Sequence, residues 1–138
     1  MYENFEHKAD IGVRGKASSV EEAFAEAAKA LFNVEVDVKK VKPSKKIKFK
    51  CSAMNLEELF VEWLNSLLSH ASLRDMVFSK FKVKIKNTKP PVLEGEAFGE
   101  KFNAKKHNVK SEVKGATYSQ LKVYQDKGLW IAQCIVDV

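Results

Sequence analysis

The sequence predicts an α+β fold: a twisted, mixed or antiparallel β-sheet with two amphipathic helices packed on one face. Three observations carry that expectation. Two segments repeat apolar residues at helical spacing, two others alternate lysine with apolar residues, and the C-terminal third reads as a β-hairpin. With 138 residues the chain is expected to form one domain spanning 1–138, able to bury a core without disulfide or metal staples. A hydrophobic content of 45% beside 30% charged residues places it with ordinary globular proteins rather than disordered chains.

Taken in order, Tyr2 to Gly15 reads as one or two short strands. The first helix follows Ser19, with a stripe of Val20, Ala23, Phe24, Ala27, Ala28, Leu31 and Phe32. Ser19 is a good N-cap, and Glu22 three residues on completes a capping box. Ile47, Phe49 and Cys51 then alternate with Lys46, Lys48 and Lys50, which gives a strand with one apolar and one basic face. A second helix starts after Asn55, with Glu58 in the capping-box position. Its stripe is Leu56, Leu59, Phe60, Trp63, Leu64, Leu67 and Leu68. Phe81, Val83 and Ile85 alternate with Lys80, Lys82, Lys84 and Lys86 as a second half-wet strand. Pro90 and Pro91 break it. Val92 to Phe102 is read as the returning strand, with Gly95 and Gly99 as bulges or bends. The hairpin comprises Ala116 to Tyr124, a turn at Asp126-Lys127-Gly128, and Leu129 to Asp137.

Several function classes drop out. No apolar run approaches the roughly 20 residues of a membrane-spanning helix, and the acid-rich opening lacks the apolar segment of a signal peptide. Gly-rich phosphate loops, the GxSxG elbow and HExxH are absent. The histidines His7, His70 and His107 never fall at metal-ligand spacing, and a lone His such as His70 is read as structural. Cys51 and Cys134 sit far apart in apolar-alternating runs. They read as buried free thiols, which suits a reducing, cytoplasmic setting. The formal charge of +6 favours an anionic partner only weakly. Its distribution says more: residues 39–50 hold seven lysines and 80–89 hold five, against two arginines in the whole chain. A solvated Lys-rich surface is the plain reading, and contact with tRNA or other RNA the functional one.

Two acids stand out by position. Asp10 interrupts the apolar run Ala9 to Val13, and Asp137 ends the apolar strand that begins at Trp130. A carboxylate at the edge of such a strand is costly unless compensated. With the carboxylate expected on Val138, three such groups at one sheet end would make a hard-oxygen site for Ca²⁺, Mg²⁺ or Mn²⁺. The alternative reading keeps Asp137 as a solvated end residue and Asp10 as a turn cap.

Five segments together resemble one family. They are Phe5-Glu6-His7-Lys8-Ala9-Asp10-Ile11-Gly12-Val13, the stretch Gly15 to Phe24, the pair Lys106-His107, the segment Glu112-Val113-Lys114-Gly115-Ala116-Thr117-Tyr118, and the end Val136-Asp137-Val138. Their order and spacing resemble the archease family over nearly the whole chain. The resemblance implies a twisted sheet with two helices, and a non-catalytic accessory role. Archeases assist the tRNA-splicing RNA ligase that joins a 2′,3′-cyclic phosphate or 3′-phosphate end to a 5′-hydroxyl end, speeding guanylylation of the ligase and multiple turnover. They do so with a divalent metal, calcium being favoured. Carried over, Asp10, Asp137 and Val138 are the implied ligands, with His7, Glu62, His107 and Tyr118 as supporting residues. Two positions depart from the family pattern. Where relatives commonly carry an acid in the second helix this chain has Asn65 and Ser66, which makes Glu62 a substitute candidate. Where many carry His after Thr-Tyr, it has Ser119. A basic RNA-binding module and a chaperone-like module remain the alternatives.

Overall fold

The computed structural model describes all residues, Met1–Val138. The elements are β1 (Tyr2–His7), β2 (Asp10–Ala17), α1 (Val20–Glu35), β3 (Lys45–Ser52), α2 (Leu56–Arg74), β4 (Met76–Lys86), β5 (Val92–Lys101), a one-turn α3 (Ala104–His107), β6 (Gly115–Ala116), β7 (Lys122–Asp126) and β8 (Leu129–Asp137). A 3₁₀ turn at Val38–Lys40 follows α1. Neither this turn nor α3 carries a periodic signal long enough to read from sequence.

Both long helices begin where the caps predict. The Ser19 hydroxyl accepts from Glu22 N–H at 3.1 Å, and the Asn55 side chain accepts from Glu58 N–H at 2.9 Å. Each cap satisfies one of the N–H groups that a helix start leaves free. No helix is long and apolar enough to cross a membrane.

The α+β class holds, and every strand pairing is antiparallel, but the strands divide between two sheets. One runs β1-β2-β8-β6 with β7 also on β8; the other runs β3-β5-β4. Both helices touch both sheets: α1 packs on β2, β8 and β4, and α2 on β3, β4, β5, β6 and β7. The division has a chemical basis. The edge strands of the smaller sheet, β3 and β4, carry the lysine alternations, and charged edges resist pairing with a further strand.

A core of 29 buried residues joins the layers. Phe24, Phe32, Phe60, Trp63 and Phe78 are its largest fully buried side chains. Phe32 stacks on Phe81 and meets Phe78 edge-on, with ring centroids 5.9 and 5.4 Å away, which ties α1 to β4. Trp63 donates from its indole N–H to the Phe24 carbonyl at 3.2 Å, so the buried ring is not left with an orphan donor.

Two expectations need correction. Gly95 is not a bulge: β5 stays in register there, and a Cβ at this position would stand 2.6 Å from the Trp63 ring, so glycine makes room for the indole. The irregularity falls on β4, between Phe78 and Lys80, opposite Gly99. The hairpin strand expected over 116–124 is also interrupted. Ala116 pairs with Val136 and Lys122 with Gln133, so residues 117–121 form a loop against two residues of β8. Thr117 N–H donates to the Ile135 carbonyl and Ser119 O accepts from Ile135 N–H, each at 3.0 Å. The hairpin turn itself is as read: Lys127 and Gly128 both take positive φ, 52° and 83°, which matches the twist of β7 and β8.

Candidate functional site

The β2–β8 ladder decides where the two acids lie. Ile11 pairs with Val136, and this register puts Asp10 opposite Asp137, one residue further along. On the near side Asp10 pairs with His7 across the β1–β2 turn; on the far side Asp137 pairs with Gly115. His7, Asp10, Asp137 and Gly115 thus form one row across four strands. Ile11 and Val136 both pack into the core, so strand alternation puts Asp10 and Asp137 on the face turned away from the helices. Asp10 is half-buried and Asp137 exposed. Val138, the next position, packs its side chain back on the core. The Asp137 carbonyl accepts from Lys114 N–H at 2.7 Å, which fixes the end of β8.

The neighbouring rows explain the local sequence. Gly12 pairs with Phe5, and the Phe5 ring occupies the space a Cβ at Gly12 would need. Arg14 lies over the same ring at 4.3 Å and donates to Gln133 at 2.9 Å and to Glu3 at 3.0 Å. The acids therefore sit at the end of a ladder of cross-strand contacts, beside the Lys8–Ala9 turn.

As a cation site the row offers hard oxygen donors of the kind Ca²⁺, Mg²⁺ or Mn²⁺ prefer. It is sparse: no three His, Cys, Asp or Glu side chains are placed to hold a metal ion anywhere in the chain. Two carboxylates and the main-chain oxygens at Val138 would supply at most a partial shell for such an ion. The remaining positions would fall to water or to a partner.

The other sequence-predicted residues scatter. Asn65, one of the positions that depart from the family pattern, accepts from Ala116 N–H at 2.9 Å and so holds β6, the strand beside Asp137. Tyr118 is exposed in the 117–121 loop, between the two residues that bond Ile135. Glu62 is exposed on α2 and acts on Cys51 of β3, so it belongs to the smaller sheet. His107 is wholly buried in a separate cluster. Its Nδ1 accepts from Asn103 N–H at 3.0 Å and its Nε2 lies 2.8 Å from Glu100, which fixes the tautomer with the proton on Nε2. Glu100 also takes Lys106 Nζ at 2.7 Å and Lys42 N–H at 3.0 Å. These bonds, Lys106 foremost, hold the Glu100 carboxyl down at about 2. His107 is thus a clamp between β5 and α3.

Sequence reasoning missed Glu35. It sits at the C-terminal end of α1, and its carboxylate accepts from Val113 N–H at 3.3 Å. Burial pushes its pKa up, and nearby Glu112 adds to the rise. Placed at the end of an apolar stripe, it gave no signal of its own. Both cysteines are free, as expected; burial pushes the Cys51 thiol up to about 11 and the Cys134 thiol up to about 12. Such thiols are poor nucleophiles at neutral pH.

Comparison with known proteins agrees with this fold. The chain matches the Archease protein family (MTH1598/TM1083) over residues 2–138. It is 40% identical to the protein archease of Pyrococcus furiosus, covering 100% of this chain and 99% of that one. The solution structure of Methanobacterium thermoautotrophicum protein 1598 superposes with a TM-score of 0.86 at 31% identity, over 99% of this chain and 98% of that one. The crystal structure of a Thermotoga maritima archease, described as a possible chaperone, shares the fold with a TM-score of 0.62 at 20% identity, over 100% and 98% of the two chains. From the match along its whole length and the identity to curated relatives, the chain belongs to the archease family.

Proposed function

We propose that this protein is a cytoplasmic, metal-carrying accessory protein that activates the tRNA-splicing RNA ligase by promoting guanylylation and turnover. Family membership supports an accessory role, and the facing positions of Asp10 and Asp137 carry the metal reading. Like charges directly opposite on paired strands repel, and a divalent cation between them would reverse that penalty. When bound, such an ion neutralises charge on phosphate during nucleotidyl transfer. Asp10 and Asp137 would hold it, with the main-chain oxygens at Val138 beside them. His7, cross-strand from Asp10, would orient that carboxylate. The open, partial shell suits delivery into a partner's active site, as an activator supplies a missing group in trans.

The test is guanylylation and multiple-turnover joining by a cognate ligase, with wild-type protein and folded Asp10→Ala and Asp137→Ala variants. Stimulation by wild type and its loss in both variants is the expected result. Absence of stimulation by wild type would sink the reading. A chaperone-like role, the description attached to the Thermotoga maritima protein, would instead leave activity indifferent to both acids.

A further inference from the structure

The lysine alternations of β3 and β4 lie on opposite sides of β5, on the outer face of the smaller sheet. Pairing gives three cross-strand triplets: Lys50–Glu94–Lys84, Lys48–Glu96–Lys82 and Lys46–Phe98–Lys80. Two rails of lysine therefore flank a central strand. Successive lysines in a rail are about 6.8 Å apart and the rails about 9.6 Å apart, from strand rise and strand spacing. Between them runs an open trough of ≈ 650 Å³, bounded by Lys48, Lys50, Lys82 and Lys84 over Glu94 and Glu96.

Only part of this charge is spent within the sheet. Lys46 pairs with Glu96 at 3.3 Å and Lys86 with Glu94 at 3.5 Å. Lys48, Lys50, Lys80, Lys82 and Lys84 have no carboxylate within salt-bridge distance. An aromatic ring ends the trough: Phe98 is half-buried on this outer face, with Lys80 Nζ 5.3 Å and Lys82 Nζ 5.6 Å from its centroid. Seven lysines against two glutamates put most of the chain's +6 excess on one face.

We infer that the outer face of the β3-β5-β4 sheet binds single-stranded RNA through its phosphates, with a base stacked on Phe98. Flexible lysines supply point charges for a backbone without reading sequence, and a surface aromatic beside them is the combination that holds an unpaired base. An acidic protein surface would use the lysines but has no use for the ring. Glu94 and Glu96 along the floor turn phosphates outward onto the rails, which favours an extended strand over a cation or a compact anion. The assignment is independent of the ligase reading, because it needs neither Asp10 nor Asp137.

The experiment is fluorescence anisotropy of a labelled oligouridylate with the intact protein, titrated at several salt concentrations. Five free lysines predict a slope of log affinity on log salt of down to about −3.5 for a single strand. The Lys48→Gln, Lys82→Gln, Lys84→Gln triple variant, whose changes are all at exposed side chains, should bring the slope to about −1.4. Phe98→Leu should weaken binding about tenfold, and Phe98→Tyr should restore it. Failure of the wild type to bind at about 50 mM salt, or a triple-variant slope equal to wild type, would overturn the assignment. So would polyglutamate binding as tight as the oligouridylate and equally sensitive to the lysine changes.

Discussion

Asp10 and Asp137 stand opposite one another on β2 and β8, one residue beyond the Ile11–Val136 pair. Their like charges meet on a face where neither acid has a basic side chain within salt-bridge distance. Neutralising one of them should therefore relieve repulsion rather than remove a support. Asp137→Asn is expected to leave stability unchanged or raise it by about 0.2–1 kcal/mol in chelator-treated protein. Added Ca²⁺ should raise the melting temperature of wild type, by about 2.7 kcal/mol of stability at a hundredfold excess over Kd, and not that of the variant. Equal calcium shifts in both proteins would exclude this row as the site.

Asn65 supports the same region from beneath. Its side-chain oxygen accepts from Ala116 N–H, in a strand only two residues long. Asn65→Ala should lower stability by about 1–3 kcal/mol by orphaning that donor. Asn65→Asp, which keeps an acceptor oxygen in place, should retain most of it. Chemical denaturation of the two variants separates these outcomes.

Trp63 and Gly95 form a tight fit between α2 and β5. Gly95→Ala forces a methyl against the ring and should cost about 1–3 kcal/mol. Trp63→Phe relieves the clash but loses the bond to the Phe24 carbonyl, so the double variant should be more stable than the sum of the single losses implies. A double-mutant cycle with no coupling would refute the contact.

Two glutamates give opposite pH responses. Glu100 is held at about 2 in the folded protein, below its ordinary value of 4.5, by its hydrogen bonds to Lys106, Lys42 N–H and His107. Its contribution is complete above pH 4.5 and is lost as the pH falls from there through about 2. Glu100→Gln should flatten acid unfolding in that window. Glu35 is raised, so its burial penalty grows as the pH climbs above the ordinary carboxylate range. Glu35→Gln, which still offers an acceptor to Val113 N–H, should raise the melting temperature at pH 7 and leave it nearly unchanged at pH 4.

Local features were legible in the sequence because their causes are local. Apolar stripes at 3.6 spacing, a Ser or Asn cap and a two-residue turn need no distant partner to be recognised, and α1, α2 and the β7–β8 hairpin follow from them. The lysine alternations likewise marked β3 and β4 and their wet faces. The 117–121 loop was not legible, because residues there read as strand until Ile135 takes up Thr117 and Ser119.

The sequence by itself determined the α+β class, the two helices with their caps, and the residue types of both surfaces. Tertiary structure alone decided three things: the split into two sheets, the use of His107 as a buried clamp, and the company each charged group keeps. The physical reason is register. Asp10 meets Asp137, and Lys48 meets Lys82 across Glu96, only because particular strands from distant parts of the chain pair in a particular phase. A shift of one residue would turn each of these side chains to the opposite face. That phase is set by the packing of the whole core, which no segment contains.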